Sequence, residues 1–137
     1  MNSFSKTVDL LHRSMNVGNL RHSVYADNLA NKDVPHFKRT EVNFESSLKT
    51  AVLSDNYKPG FIMSRSDPRH VSNWTRLDYR NVQPRRVLDF TSTYNNNGNN
   101  VDPEVEINNL LKNQMRYTMY AQAASFEYGQ VALVLRA

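Results

Sequence analysis

The chain carries few side chains that do chemistry, and their spacing does not assemble them. None of its 137 residues is cysteine, which excludes disulfides, thiolate metal sites and cysteine nucleophiles. Its histidines are His12, His22, His36 and His70. The first two lie ten residues apart, so a helix turns them about 80° away from each other rather than toward one metal. Asp67 and His70 are close in sequence, but a dyad also needs a nucleophile and an orienting group, and neither can be named. No zincin, nucleophile-elbow or P-loop pattern occurs. Asn73-Trp74-Thr75 matches a glycosylation sequon, a tripeptide that also arises by chance. No catalytic residue, cofactor, metal ligand or small-molecule substrate is expected, and the chain reads as a non-enzyme.

Charge is the next property that could act at a distance. The formal net charge is +4, and the excess sits in the middle. Residues 56–100 hold Lys58, Arg65, Arg69, Arg76, Arg80, Arg85 and Arg86 against Asp67, Asp78 and Asp89. Such a segment can meet nucleic acid, acidic lipid or an acidic protein. A basic helical nucleic-acid-binding or adaptor module is therefore the alternative reading. The arginines and aromatics lack the spacing of any recognised module, so a solvated loop face is preferred and no nucleic acid is expected as partner.

Size and hydropathy bound the rest. The length suits one domain, yet only 39% of residues are hydrophobic and the mean hydropathy is -0.65. Met1–Thr7 lacks a basic run leading into an apolar core, so no secretory signal is expected there. The apolar run from Val131 to Leu135 is far short of the roughly 18 residues of a membrane span, and no direct membrane insertion is expected.

Two helices must position whatever the chain presents. Phe4, Val8, Leu11, Met15, Gly18, His22, Tyr25 and Leu29 alternate spacings of four and three, a heptad seam over more than three heptads. Asp9 and Arg13 are one turn apart and can pair. Asn2 or Ser3 can cap the start. Pro35 forces Val34 to be extended, and asparagine tolerates a helix end, so the helix is predicted over 1–31. Thr40, Val42 and Phe44 alternate with polar residues as a short extended piece, and a short helix follows near 44–54. The stretch 32–100 reads as linker. Pro59-Gly60, Pro68, Pro84 and the tract Asn95-Asn96-Asn97-Gly98-Asn99-Asn100 give a loop or hinge without a core. Within it Trp74, Leu77, Tyr79, Val87, Leu88 and Phe90 offer a few strands or a small satellite cluster.

The last element, 101–137, is predicted as one long helix. Asp102 is a good N-cap, Pro103 fits the first helical position, and Glu104 and Glu106 complement the dipole. Two apolar lines run along it. Leu110, Tyr117, Tyr120, Ala124, Val131 and Val134 form one, and Met115, Met119, Phe126 and Leu133 the other. A helix apolar on two faces must be covered on two faces. The polar middle cannot cover both, so neighbouring subunits are expected to supply the second cover. The fold class is mainly α. Long N- and C-terminal helices pair in a coiled-coil-like arrangement, with an irregular, partly extended middle, as one elongated domain over 1–137.

The stretch Tyr25-Ala26-Asp27-Asn28-Leu29-Ala30-Asn31-Lys32-Asp33-Val34-Pro35-His36-Phe37-Lys38-Arg39 resembles the signature that closes the first helix in flagellar rod and hook axial proteins. Asn28, Ala30, Asn31, Pro35, Phe37 and Lys38 carry the match. Many members have Thr-Pro-Gly-Tyr where this chain has Val34-Pro35-His36-Phe37. Losing that glycine removes the easy positive-φ choice, so a different turn is expected. The short length, Val42-Asn43-Phe44-Glu45, the Asn-rich tract and Asn113-Gln114-Met115-Arg116-Tyr117 are similar to the proximal-rod members. Asp67-Pro68-Arg69-His70 and Gln83-Pro84-Arg85-Arg86-Val87 look like spirochaete versions. The resemblance implies a structural subunit of the basal body on the periplasmic side of the inner membrane, exported by the flagellum's own type III system. It implies copies of itself, other rod proteins and an MS-ring or export-gate adaptor at the rod base as partners.

Overall fold

A computed structural model describes residues 3–57, 60, 61, 63, 64, 66, 67, 69–71 and 75–136. Its elements in order are helix α1 (Ser3–Ala30), strand β1 (Thr40–Asn43), helix α2 (Glu45–Asn56), a 3₁₀ turn (Tyr79–Asn81), strand β2 (Arg85–Leu88) and helix α3 (Pro103–Arg136). The chain divides into two compact units, one of residues 1–42 with 86–137 and one of residues 43–85.

The first unit is an antiparallel helix pair. Phe4 meets Tyr128 edge-on with ring centroids 6.1 Å apart. Gly18 lies under Tyr117, and Asn113 Nδ2 donates to the Gly18 carbonyl at 2.8 Å. Asn28 bonds Glu106 at 3.1 Å. Rising residue numbers on α1 thus meet falling numbers on α3. With 28 and 34 residues, the helices are about 42 and 51 Å long. Asp102 caps α3 as its sequence demands: its Oδ1 accepts from Glu104 N at 2.9 Å and from Val105 N at 3.4 Å. On the outside of α1, Arg13 Nε donates to Asp9 Oδ2 at 3.2 Å.

The stripe that α1 buries is broader than the Phe4–Leu29 seam. Its deepest residues, Val17, Val24 and Asn28, fall one position before Gly18, Tyr25 and Leu29. Phe4, Val8, Leu11, Met15, Tyr25 and Leu29 are half-buried, and His22 is exposed. Burial raises the Tyr25 phenol above its ordinary pKa, with Arg21 pulling the other way.

β1 and β2 form a two-stranded ribbon. Asp89 N donates to Arg39 O at 3.0 Å, joining the residue before β1 to the residue after β2, so the strands run antiparallel. β2 is exposed along its length. In the second unit, Ser54 Oγ accepts from Leu77 N at 3.0 Å, tying α2 to the segment before the 3₁₀ turn. Ala51 and Tyr79 are buried there, and the Arg80 guanidinium lies 5.9 Å from the Tyr79 ring centre. Val87 and Leu88 lie on β2, one of the few strands expected in the middle. Leu77, Val87, Leu88 and Phe90 are exposed, because a two-stranded ribbon has no second layer to lie on. Trp74, with Asn2, Lys58, Pro59, Arg65, Pro68 and Asn73, lies outside the described residues.

Candidate assembly interface

α3 presents two different faces. Leu110, Tyr117 and Tyr120 are half-buried toward α1, and Ala124 is buried with 8% of its surface exposed. Val131 and Val134 continue that line but are exposed, because they lie beyond the Phe4–Tyr128 contact. The other line points away from α1. Met115, Met119, Phe126 and Leu133 are 66%, 65%, 65% and 64% exposed. With Gln122 and Gly129 they make an unbroken four-three spacing, the seam that knobs-into-holes packing requires. From Met115 to Leu133 it spans 18 steps of the helix, about 27 Å. Exposed large apolar side chains scattered singly are ordinary, whereas a contiguous row of this length marks an interaction surface.

The end of α1 that opposes the start of α3 is held by polar side chains. Asn28 is wholly buried. Its Oδ1 accepts from Thr40 N at 3.0 Å, and its Nδ2 donates to Thr40 O at 2.9 Å and to Glu106 Oε2 at 3.1 Å. One amide thus completes the first residue of β1 as a neighbouring strand would. Glu106 is 1% exposed, and Arg39 neutralises it through Nε and Nη2, each 3.1 Å from Oε1. Arg39 also reaches Glu41 at 3.0 Å and Asp89 at 3.7 Å. Hydrogen bonds from the Ser92 and Thr91 hydroxyls and amides hold the Asp89 carboxyl well below the usual carboxylate range.

The Asn-rich tract closes this junction. Asn99 and Asn100 are buried, with Val101 beside them. Asn99 Nδ2 donates to the carbonyls of Asn31, Lys32 and Val34 at 2.9, 3.0 and 2.8 Å, in the turns that follow α1, where Asn31 O and Val34 O also accept from Val34 N and Phe37 N. Asn100 Oδ1 accepts from Arg39 N at 2.7 Å, and its Nδ2 donates to Asp89 O at 2.7 Å. Lys38 Nζ donates to Gly98 O at 2.8 Å. The run is a loop, as its composition suggests, and it also acts as a clasp, because amide side chains satisfy backbone groups that apolar residues cannot. Composition signals a loop but carries no sign of partners some 60 residues away.

The chain is 42% identical over 136 residues to the flagellar basal body rod protein FlgB of Borreliella burgdorferi, covering 99% of this chain and 100% of that protein. The chain belongs to the FlgB family. FlgB of Borrelia hermsii is 39% identical over 136 residues, again across 100% of its length. FlgB of Bacillus subtilis is 26% identical over 137 residues, 98% of this chain and 97% of that one. No family model matches the chain.

The residues that carry the resemblance to axial proteins lie at or near the polar junction. Asn31 Nδ2 bonds the Asp27 carbonyl at 2.7 Å, within the helix end as its type suggests. Asn28 instead reaches across to β1 and α3. Ala30 is exposed and Pro35 lies in the exit turn. Phe37 is half-buried beside a cleft of about 500 Å³. His36 adopts φ 59°, a left-handed conformation that costs a non-glycine residue about 1–2 kcal/mol. Its ring packs against Gly98, where an added Cβ would come within 2.7 Å of Nδ1. Among the described residues no helix is long and apolar enough to cross a membrane, and no metal-ligating cluster occurs.

Proposed function

We propose that this chain is a structural subunit of the proximal flagellar rod, acting by packing rather than catalysis. Copies of it and other rod proteins assemble into a tubular drive shaft that transmits torque. The base of that tube meets an MS-ring or export-gate adaptor, and the subunits reach it on the periplasmic side through the flagellar type III system. The observation that carries this reading is the outward seam of α3: Met115, Met119, Phe126 and Leu133 have no cover within the described chain. α1 already occupies the opposite face, so a second cover must come from another molecule.

The deciding experiment places a charge on that seam. Phe126→Arg leaves the circular dichroism and urea midpoint of the isolated protein close to wild type, because the site is exposed. In cells that build rods from this chain it abolishes rod assembly and motility, because an unpaired charge would be buried in the assembled state. Normal motility of Phe126→Arg rejects the proposal.

A further inference from the structure

The ribbon of β1 and β2 has two outer edges, and only one of them is closed. Asp89 N donates to Arg39 O, so alternate residues of the second strand face the first. Val87 turns its N–H and C=O inward to β1, while Arg86 and Leu88 turn theirs outward. The same alternation turns Thr40 and Val42 to the outer edge of β1. There Asn28 takes both backbone groups of Thr40, and Arg21 Nη2 donates to Val42 O at 3.0 Å. Nothing comparable closes β2. Among the described residues no hydrogen bond reaches the outward backbone groups of Arg86 or Leu88, and β2 is exposed along its length. Both side chains line the cleft of about 500 Å³ together with Val24, Asp27 and Phe37.

We propose that this edge takes up an extended segment of a different protein as a third strand, with an apolar residue opposite Leu88 and an acidic residue opposite Arg86. Each part of that description follows from a group on the edge. Outward N–H and C=O groups at strand spacing are matched by another extended backbone. The residue opposite Leu88 shares its face of the ribbon, so its side chain enters the cleft that Val24 and Phe37 also line. The residue opposite Arg86 stands beside a guanidinium that has no ion pair among the described residues. Asp27 shares the cleft but makes no ion pair with it, so a carboxylate on the incoming strand supplies the missing partner. The strands of a second copy do not suit. The outer edge of β1 is closed, and two β2 edges facing each other are related by a two-fold axis, which closes as a dimer. That exclusion of a second copy rests on the rod-subunit reading, in which contacts between copies extend as an open array.

The test uses the isolated full chain and an end-capped, threonine-rich peptide carrying one leucine and, two places after it, one aspartate. With the peptide at saturation, amide exchange followed by NMR slows about tenfold at Arg86 and Leu88, whose N–H groups become paired. The Val87 amide, already facing β1, is unchanged. Methylating the leucine and aspartate nitrogens of the peptide abolishes binding, because those N–H groups face the edge. Arg86→Glu weakens the aspartate peptide by about tenfold, and a peptide with lysine in that place regains the loss. Absence of protection at Arg86 and Leu88, or equal binding by the methylated peptide, overturns strand addition. The chain has no cysteine of its own, so Leu88→Cys tests the identity of the occupant. A Leu88→Cys homodimer formed on oxidation in cells that build rods from this chain puts a second copy at the edge and overturns the proposed different protein. Any of these failures leaves the rod reading standing as long as rods still depend on Phe126, whereas rods indifferent to Phe126→Arg reject that reading by themselves.

Discussion

Glu106 has lost nearly all contact with water and keeps its charge company with Arg39 and the Asn28 amide. Removing the carboxylate leaves Arg39 its contacts with Glu41 and Asp89 but takes a partner from the buried Asn28 amide. Glu106→Ala is expected to cost about 1–3 kcal/mol in a urea titration. Asp89 gives the same junction a pH dependence. Its folded carboxyl sits below the ordinary range, so below about pH 4 the unfolded chain binds the extra proton first. Its contribution is present above the unfolded pKa and is lost as pH falls through the folded one. The urea midpoint of wild type should therefore drop between pH 5 and pH 3, and Asp89→Asn should flatten that limb. A slope equal in both proteins would remove Asp89 from the account.

At the scale of the helices, α1 and α3 pack tightly at Gly18, where a Cβ would stand 3.4 Å from Tyr117 Cδ2. A methyl group just fits and branching does not. Gly18→Val should lower stability by about 1–3 kcal/mol through overpacking, read from the thermal midpoint. A neutral result would mean that Tyr117 swings away freely. Much of this level was legible in the sequence. The four-three spacing of Phe4 to Leu29 and the Asp102-Pro103 start announced two long helices, because periodicity and capping are local. What stayed hidden was non-local. Nothing near Asn28 in sequence says that it serves Thr40 and Glu106, and nothing in Asn95–Asn100 says that it clasps the end of α1. Nor could spacing alone say which of the two lines on α3 turned inward, since both are equally periodic and only the paired structure separates Ala124 from Phe126.

For the whole molecule, that separation divides folding from assembly. Ala124 is buried against the helix pair and Phe126 is open. Ala124→Arg should cut the mean residue ellipticity and the thermal midpoint of the isolated chain, since it places a charge where no partner exists. Phe126→Arg should change neither and fail only when copies must meet. Equal loss of ellipticity in both variants would mean that the two faces are not distinct in solution.

The Asn99 clasp also has a temporal meaning. The turns after α1 gain their bonds from the Asn99 amide only once residue 99 is present, and the Asn28 amide gains its bond to Glu106 later still. A chain whose N-terminal half is made first has an apolar stripe without a seat and an exit turn without its bonds to Asn99. Local contacts form early, and distant ones carry the entropy of closing long loops. Completion of this junction is thus deferred until Glu106 is present, and that of the helix pair until Tyr128 is, so a partly made chain stays pliable.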